Sequence, residues 1–278
     1  MLTPKEAIDR ARTTYDAAAD SFDSPALSFW DYFGRRTVAR LDLREGQNVL
    51  DAACGSGASA VPAAKTVGPG GSVLGVDISE RLLGLAERKA AQAGLANMKF
   101  KCSDMLALPN EDSGFDVVLC VFAIFFVPDM AGATRSLWQR VRPGGRLAIT
   151  TWGSSLFEPG NSIFWNAVAD VRPDLHKAFN PWDRISSPEG LQKMFAEAGI
   201  GAPEIEHEKR LQPVSTAQDW WTIVCGSGYR GTLEQLSAQE YDVVRQNNLT
   251  EFDKGGCRAI QIDALFSVAT KPPDGLAA

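Results

Sequence analysis

The amino-acid sequence predicts an α/β fold built on a parallel, doubly wound sheet, and three observations point there. Between Asn48 and Trp152, apolar strand-like runs alternate with helical stretches at a period of roughly 30 residues, the length of a strand-helix-strand unit. Those runs are continuous in apolar residues, as strands covered by helices on both faces require. The first of them enters a tight glycine turn, Asp51-Ala52-Ala53-Cys54-Gly55-Ser56-Gly57, that leads straight into a helix. Right-handed crossovers bring every strand's carboxyl end to one edge of such a sheet, where ligands bind.

Taken in order, Pro4 to Ala18 read as a helix capped by Thr3, and Leu27 to Leu41 as a second helix after the Asp23-Ser24-Pro25 break. Residues 1–43 are thus an N-terminal helical cover, rich in rings such as Tyr15, Phe22, Trp30 and Phe33. The core, residues 44–152, opens with strand Asn48 to Ala52 and a helix to Val67, which Gly68-Pro69-Gly70-Gly71 stops. Strand Ser72 to Asp77, helix Glu80 to Ala93 between the Ser79 cap and the Gly94 stop, and strand Met98 to Cys102 follow. Strand Phe115 to Ala123, helix Asp129 to Val141, the turn Arg142-Pro143-Gly144-Gly145 and strand Arg146 to Trp152 complete the alternation.

Beyond Trp152 the rhythm is lost. Pro159, Pro173 and Pro181 interrupt an aromatic-rich stretch, which reads as a lid over residues 153–186. Residues 187–278 are expected to complete the core with helix Pro188 to Ala198, capped by Ser187, and strands Glu204 to Leu211 and Ala259 to Ala269. Between those strands, at about residues 214–258, sits an insertion with helices near Ala217 to Cys225 and Ala238 to Phe252, the latter opened by a Ser237 and Glu240 capping box.

Composition narrows the function classes. At 278 residues and 45% hydrophobic content the chain can bury a large core. With 28 Lys and Arg against 34 Asp and Glu, the net charge of -6 provides no basic field, so neither nucleic acid nor an anionic membrane surface is an expected partner. The first residues lack the apolar run of a signal peptide, and the longest apolar run, Val117 to Val127, falls well short of the ~20 residues of a membrane span. A cytoplasmic location is expected. Five cysteines without a C-x-x-C pair suggest reduced thiols and no zinc site, and no metal is expected.

The glycine turn reads as a nucleotide-binding site. Gly55-Ser56-Gly57-Ala58-Ser59-Ala60 matches the dinucleotide fingerprint, with Asp77 at the spacing of a ribose-binding acid, which keeps a nicotinamide-dependent oxidoreductase open as an alternative. Asp51 argues against it, because a carboxylate beside the turn repels a pyrophosphate and suits a cationic ligand. Asp51, Asp77 and Asp104 follow three successive strands and so converge on one crevice.

At this point the chain resembles the class I S-adenosylmethionine-dependent methyltransferases, in the broad ubiquinone/menaquinone-biosynthesis methyltransferase-like (methyltransferase type 11) group. Val49 to Gly57 looks like the first motif, Leu74-Gly75-Val76-Asp77-Ile78-Ser79 like the second and Ser103-Asp104-Met105 like the adenine-side motif. Phe115-Asp116-Val117-Val118 and Val141-Arg142-Pro143-Gly144-Gly145 resemble the signatures around strands four and five. The resemblance implies a Rossmann-like sheet of seven strands, mostly parallel with an antiparallel last strand, plus helical lid segments. It implies S-adenosyl-L-methionine as co-substrate. Cofactor-binding residues are then Asp51, Gly55 and Gly57 near the methionine moiety with Ala53 in the same turn, Asp77 on the ribose hydroxyls, Ile78 and Met105 around the adenine, Asp104 at its amino group with Ser103 in the same motif, and Cys120 or Val121 at the methionine end. Asp116, at its strand's start, is expected to be structural.

The expected activity is methyl transfer to a small, partly apolar, aromatic or isoprenoid-like acceptor; a module that binds the cofactor without turnover is the non-enzymatic alternative. The strand-four tail Phe122-Ala123-Ile124-Phe125-Phe126-Val127 is bulkier and more apolar than quinone methyltransferases tend to carry. In-line displacement needs positioning more than acid-base chemistry, so no catalytic residue is assigned; His176 and Tyr15 are the candidates for a base, with His207 a weaker one. The 214–258 insertion is either an acceptor-side cap or a homodimer contact.

Overall fold

A computed structural model describes residues 4–109, 112–177 and 179–273. Its centre is a sheet of seven strands: β1 (Asn48–Ala52), β2 (Ser72–Asp77), β3 (Met98–Cys102), β4 (Phe115–Val121), β5 (Val141–Trp152), β6 (Glu204–Glu208) and β9 (Ala264–Thr270), in the order β3-β2-β1-β4-β5-β9-β6. The first five pair in parallel, and β9 runs antiparallel between β5 and β6. Strand order therefore reverses between β1 and β4, which leaves a crevice at their carboxyl ends.

Period-two alternation sorts the buried strand side chains onto two faces. Leu50, Ala52, Val118, Cys120, Leu147 and Ile149 share one core with Leu137 of helix α5 (Met130–Arg140) and Leu191 and Phe195 of α7 (Pro188–Glu197). Val49, Val117, Leu119 and Ala148 share the other with Val38 of α2 (Phe29–Ala39) and Ala60, Ala63 and Ala64 of α3 (Ala60–Val67). The alanine face of α3 and Gly34 of α2 let backbone approach backbone: a β-carbon on Gly34 would lie 2.2 Å from the Ala58 carbonyl oxygen. Thr37 and Thr150 hydroxyls meet at 2.8 Å across the same face.

Several boundaries differ from the sequence reading. The first helix, α1 (Pro4–Phe22), runs past Ala18; its Thr3 cap lies outside the described residues. The second helix is a 3-10 turn, Pro25–Leu27, followed by α2. β4 stops at Val121 because Phe122 adopts φ 53°, and β5 starts at Val141 because Phe115 pairs with it, so Pro143-Gly144-Gly145 lies within the strand. Asp116 is structural, accepting the Asn48 N–H at 2.7 Å and pairing with Arg142 at 2.6 Å.

The two expected last strands each break in two. β6 continues as β7 (Leu211–Pro213), and β8 (Ala259–Gln261) precedes β9, so a two-stranded ribbon extends from the sheet. Glu208 faces Ala264 and Leu211 faces Gln261, so the hairpin keeps its register through the bend. Asp263 at the break accepts the Gly153 N–H through its carbonyl, which draws the chain after β5 alongside. Helices α6 (Gly160–Val171), α8 (Ala217–Cys225), α9 (Arg230–Leu233) and α10 (Ala238–Lys254) pack together and against α1. Trp220 stacks on Phe252 at 5.8 Å while its indole N–H donates to Asn248 at 2.7 Å. No helix of the described residues is long and apolar enough to cross a membrane.

Candidate functional site

A cavity opens where β1 to β4 end. Its floor is the turn from Ala53 to Ser59, with Asp77 and Ile78 on one side, Val121, Phe122 and Ala123 on the other, and Ser103, Asp104 and Met105 beyond them. Helix α1 roofs it with Ala7, Ile8, Ala11 and Tyr15, a spacing that keeps one helical face on the ligand space. Ala53 (φ 65°) and Phe122 (φ 53°) turn the chain sharply at the ends of β1 and β4, a conformation that costs a residue with a β-carbon on the order of 1 kcal/mol and is held here by the packing around it.

Asp77 is the best-fixed acid in this cavity. Its Oδ2 accepts the Gly55 N–H at 2.8 Å and its Oδ1 the Ser79 N–H at 2.9 Å, and each oxygen keeps a lone pair for a further donor. Burial pushes its carboxyl above the usual range, and these backbone donors oppose that. Asp104 is half-buried and accepts the Leu106 N–H at 2.9 Å. A pair of fixed carboxylate oxygens between the apolar side chains of Ile78, Leu82 and Met105 suits vicinal hydroxyls beside a flat ring.

The roof is clamped on one side. Asp16 accepts from the Ser79 hydroxyl at 2.5 Å, Asp20 pairs with Arg81, and Asp23 accepts from both the Ser56 hydroxyl and the Lys89 ammonium at 2.7 Å. Asp16 and Asp20 on one edge of α1, with Asp23 just past its end, tie the helix to the glycine turn and to helix α4 (Glu80–Gln92).

Of the residues expected around the ligand, Ala53, Gly55, Asp77, Ile78, Ser103, Asp104 and Met105 line the cavity, and so does Tyr15. Asp51, Gly57 and Cys120 do not. Asp51 is fully buried one layer below, where its Oδ2 accepts the hydroxyl of Ser59, a residue that does line the cavity, at 2.6 Å. Its Oδ1 has no partner among the described residues, and burial pushes its carboxyl up to about 7. Gly57, at φ 86°, packs the turn against Val61 and Ala86, and Cys120 points into the core while its neighbour Val121 faces the ligand space.

The histidines stand apart from the cavity. His176 is exposed, edge-on to Trp165 at 5.9 Å, and His207 lies on the outer strand with Nε2 3.7 Å from the buried Asp263. Burial, with the charge of Asp77 adding to it, holds the Tyr15 phenol well above its ordinary value, so it keeps its proton at neutral pH. The sequence reading missed the α1 stripe of Ala7, Ile8 and Ala11, whose helical spacing was legible but whose target was not. Among the described residues no cluster of three or more His, Cys, Asp or Glu could hold a metal ion.

A second cavity lies behind the first. At about 320 Å³ against 140 Å³ it is the larger, and Tyr15, Trp30 and Phe126 line both. Tyr15 stands edge-on to Phe126, their ring centres 5.5 Å apart. Its remaining walls are mainly aromatic, from Phe125, Trp152, Phe157, Trp165, Trp182 and Tyr229, and its charged residues are Arg10 and Lys177.

Comparison with known proteins agrees with this geometry. Residues 43–199 match the family model described as a methyltransferase domain. A demethylmenaquinone methyltransferase from Listeria monocytogenes serotype 4a is 33% identical over 215 residues, covering 72% of this chain and 90% of the relative. Nocamycin O-methyltransferase from Saccharothrix syringae is 32% identical over 136 residues, a match that spans 49% of each chain. In fold the chain is similar to a Haemonchus contortus phosphoethanolamine N-methyltransferase solved with S-adenosylhomocysteine, with a TM-score of 0.57 at 18% identity, covering 98% of this chain and 61% of that one. The chain therefore belongs to the class I S-adenosylmethionine-dependent methyltransferases, in their menaquinone-methyltransferase-like group.

Proposed function

We propose that this methyltransferase acts on a small, largely apolar, aromatic or isoprenoid-like acceptor held in the second cavity. The observation that carries the reading is the shared wall: Tyr15, Trp30 and Phe126 line both cavities, so a ligand in each would meet there. In the first cavity, Asp77 would accept from the ribose hydroxyls, Ile78 and Met105 would enclose the adenine, and Asp104 would accept from its amino group. The orphaned Asp51 Oδ1, one layer down, supports a positively charged ligand end above Ser59.

Bound S-adenosylmethionine would supply an activated methyl group for in-line transfer to the acceptor atom, its sulfur taking the bonding pair. The chain's part is positioning and exclusion of water. No Asp, Glu or His is among the described residues lining the second cavity, and Tyr15 keeps its proton, which supports a site that orients a nucleophile already competent. The size and apolar character of the cavity support a ring-bearing acceptor. We further propose that α6 and the helices of the 214–258 insertion form the acceptor-side cap, since Trp165, Ser227, Tyr229 and Gly231 contribute to its wall.

Incubation with methyl-labelled S-adenosylmethionine and a panel of phenols, quinols, prenylated acids and small hydrophilic amines tests this. Label is expected on ring-bearing or prenylated acceptors. Label confined to the hydrophilic amines contradicts the acceptor class, and cofactor binding without label on any of them favours a non-catalytic module.

A further inference from the structure

We propose that the acceptor carries an anionic group of carboxylate type, held between Arg10 and Lys177 in the second cavity. This rests on the reading that the acceptor occupies that cavity, and it names a chemical class within it. Two cations line a mainly aromatic chamber, and among the described residues no acid lines it with them. That is opposite to the balance of the whole chain, in which acids outnumber bases by 34 to 28.

Neither cation is neutralised within the described residues. Arg10 sits in α1 at the rim, exposed, and has no carboxylate within ion-pair reach. Lys177 is half-buried, and its ammonium lies 5.6 Å from the centre of the Trp165 ring with no acid beside it. Burial and the charge of Arg10 both lower the proton affinity of Lys177, which means that the two positive charges stand close enough to oppose one another. An anion between them relieves that opposition and gains two charge-assisted hydrogen-bond donors.

Arg10 and Lys177 line the second cavity and not the first, so the anion is a handle on the acceptor and not on the methyl donor. Phe179, 57% exposed at the same rim, gives the entrance an apolar lip beside its cations. The class of acceptor that matches all three features is a fused-ring or substituted aromatic acid.

The test uses a matched pair of probes, 3-hydroxy-2-naphthoate and 3-hydroxy-2-naphthamide, titrated calorimetrically into the full chain saturated with S-adenosylhomocysteine. The naphthoate is expected to bind the wild type about tenfold or more tightly than the amide, a preference that narrows as salt is raised. Lys177→Met, and more fully Lys177→Met with Arg10→Gln, is expected to bring the two probes to within about twofold while S-adenosylhomocysteine affinity stays at the wild-type value. That unchanged affinity also shows that the variants are folded. Equal binding of the probes to the wild type, binding of neither, or a preference that survives in the double variant overturns the proposal. Failure of S-adenosylhomocysteine to bind the wild type instead overturns the cofactor reading beneath it.

Discussion

The Gly55 N–H donates to Asp77 Oδ2 at 2.8 Å, joining the turn after β1 to the end of β2. Twenty-two residues apart in sequence, the two are neighbours because β1 and β2 pair in parallel with Ala52 opposite Val76. The same contact fixes the acid and the glycine backbone against each other, and a hydrogen-bond acceptor held in this way loses less entropy on binding.

The close approach of α2 to the glycine turn is a packing requirement. Gly34→Ala places a methyl group 2.2 Å from the Ala58 carbonyl oxygen, so backbone must move. The variant is expected to lose about 1–3 kcal/mol of stability, read as a lower urea midpoint, with cofactor affinity falling as the turn shifts. An unchanged midpoint and affinity would show that α2 is free to slide.

Asp51 makes the ligand-free protein sensitive to pH. Its folded carboxyl holds a proton up to about pH 7, whereas the ordinary value is 3.8. Between those values the fold binds more protons than the unfolded chain, so this residue's contribution to stability is full below about pH 4 and is lost as pH rises to 7. Asp51→Asn, neutral at every pH, is expected to flatten that slope and to be the more stable protein at pH 8, by an amount on the order of 2 kcal/mol. Parallel denaturation curves across this range for both proteins would contradict it.

Tyr15 lines both cavities and, with its proton held by burial, is expected to act as a wall and not as a base. Tyr15→Phe retains the edge-on contacts with Phe22 and Phe126 and is expected to keep S-adenosylhomocysteine affinity within about threefold. Tyr15→Ala opens one cavity into the other and is expected to cost about 3 kcal/mol of stability and at least about tenfold in affinity. Calorimetry and thermal melting on the pair separate ring from hydroxyl. A large loss in Tyr15→Phe alone would return the hydroxyl to the chemistry.

His176 is exposed and lines neither cavity. His176→Ala is expected to leave cofactor affinity and labelled methyl transfer within about twofold of wild type, with no change in the pH dependence of the rate. Loss of a titrating limb in that profile would overturn this placement.

Much of this was legible in the sequence. The strand-helix period set the sheet, and the acids near the ends of β1, β2 and β3 located the crevice because a parallel sheet has one carboxyl edge. Sequence position did not reveal depth. Asp51 and Asp77 both stand near the ends of successive strands, yet only Asp77 lines the cavity, because the register sets Asp51 opposite Gly75, two residues short of Asp77, with Ser59 above it. Gly57 looked like a ligand contact and instead accommodates α4. The broken hairpin at Arg210 and Asp263 was read as two unbroken strands, since apolar pattern reports burial and not the direction of a bend. The pair of Arg10 and Lys177 was invisible because it joins α1 to the segment after α6 across 167 residues.

Calorimetric titration of S-adenosylhomocysteine into Asp77→Ala tests most directly the proposal that Asp77 holds S-adenosylmethionine by its ribose. Two hydrogen bonds to a charged acceptor, each worth about 1.5–3 kcal/mol, predict a loss of affinity of at least about 100-fold with the fold intact by circular dichroism. Affinity equal to wild type in that folded variant would contradict the account.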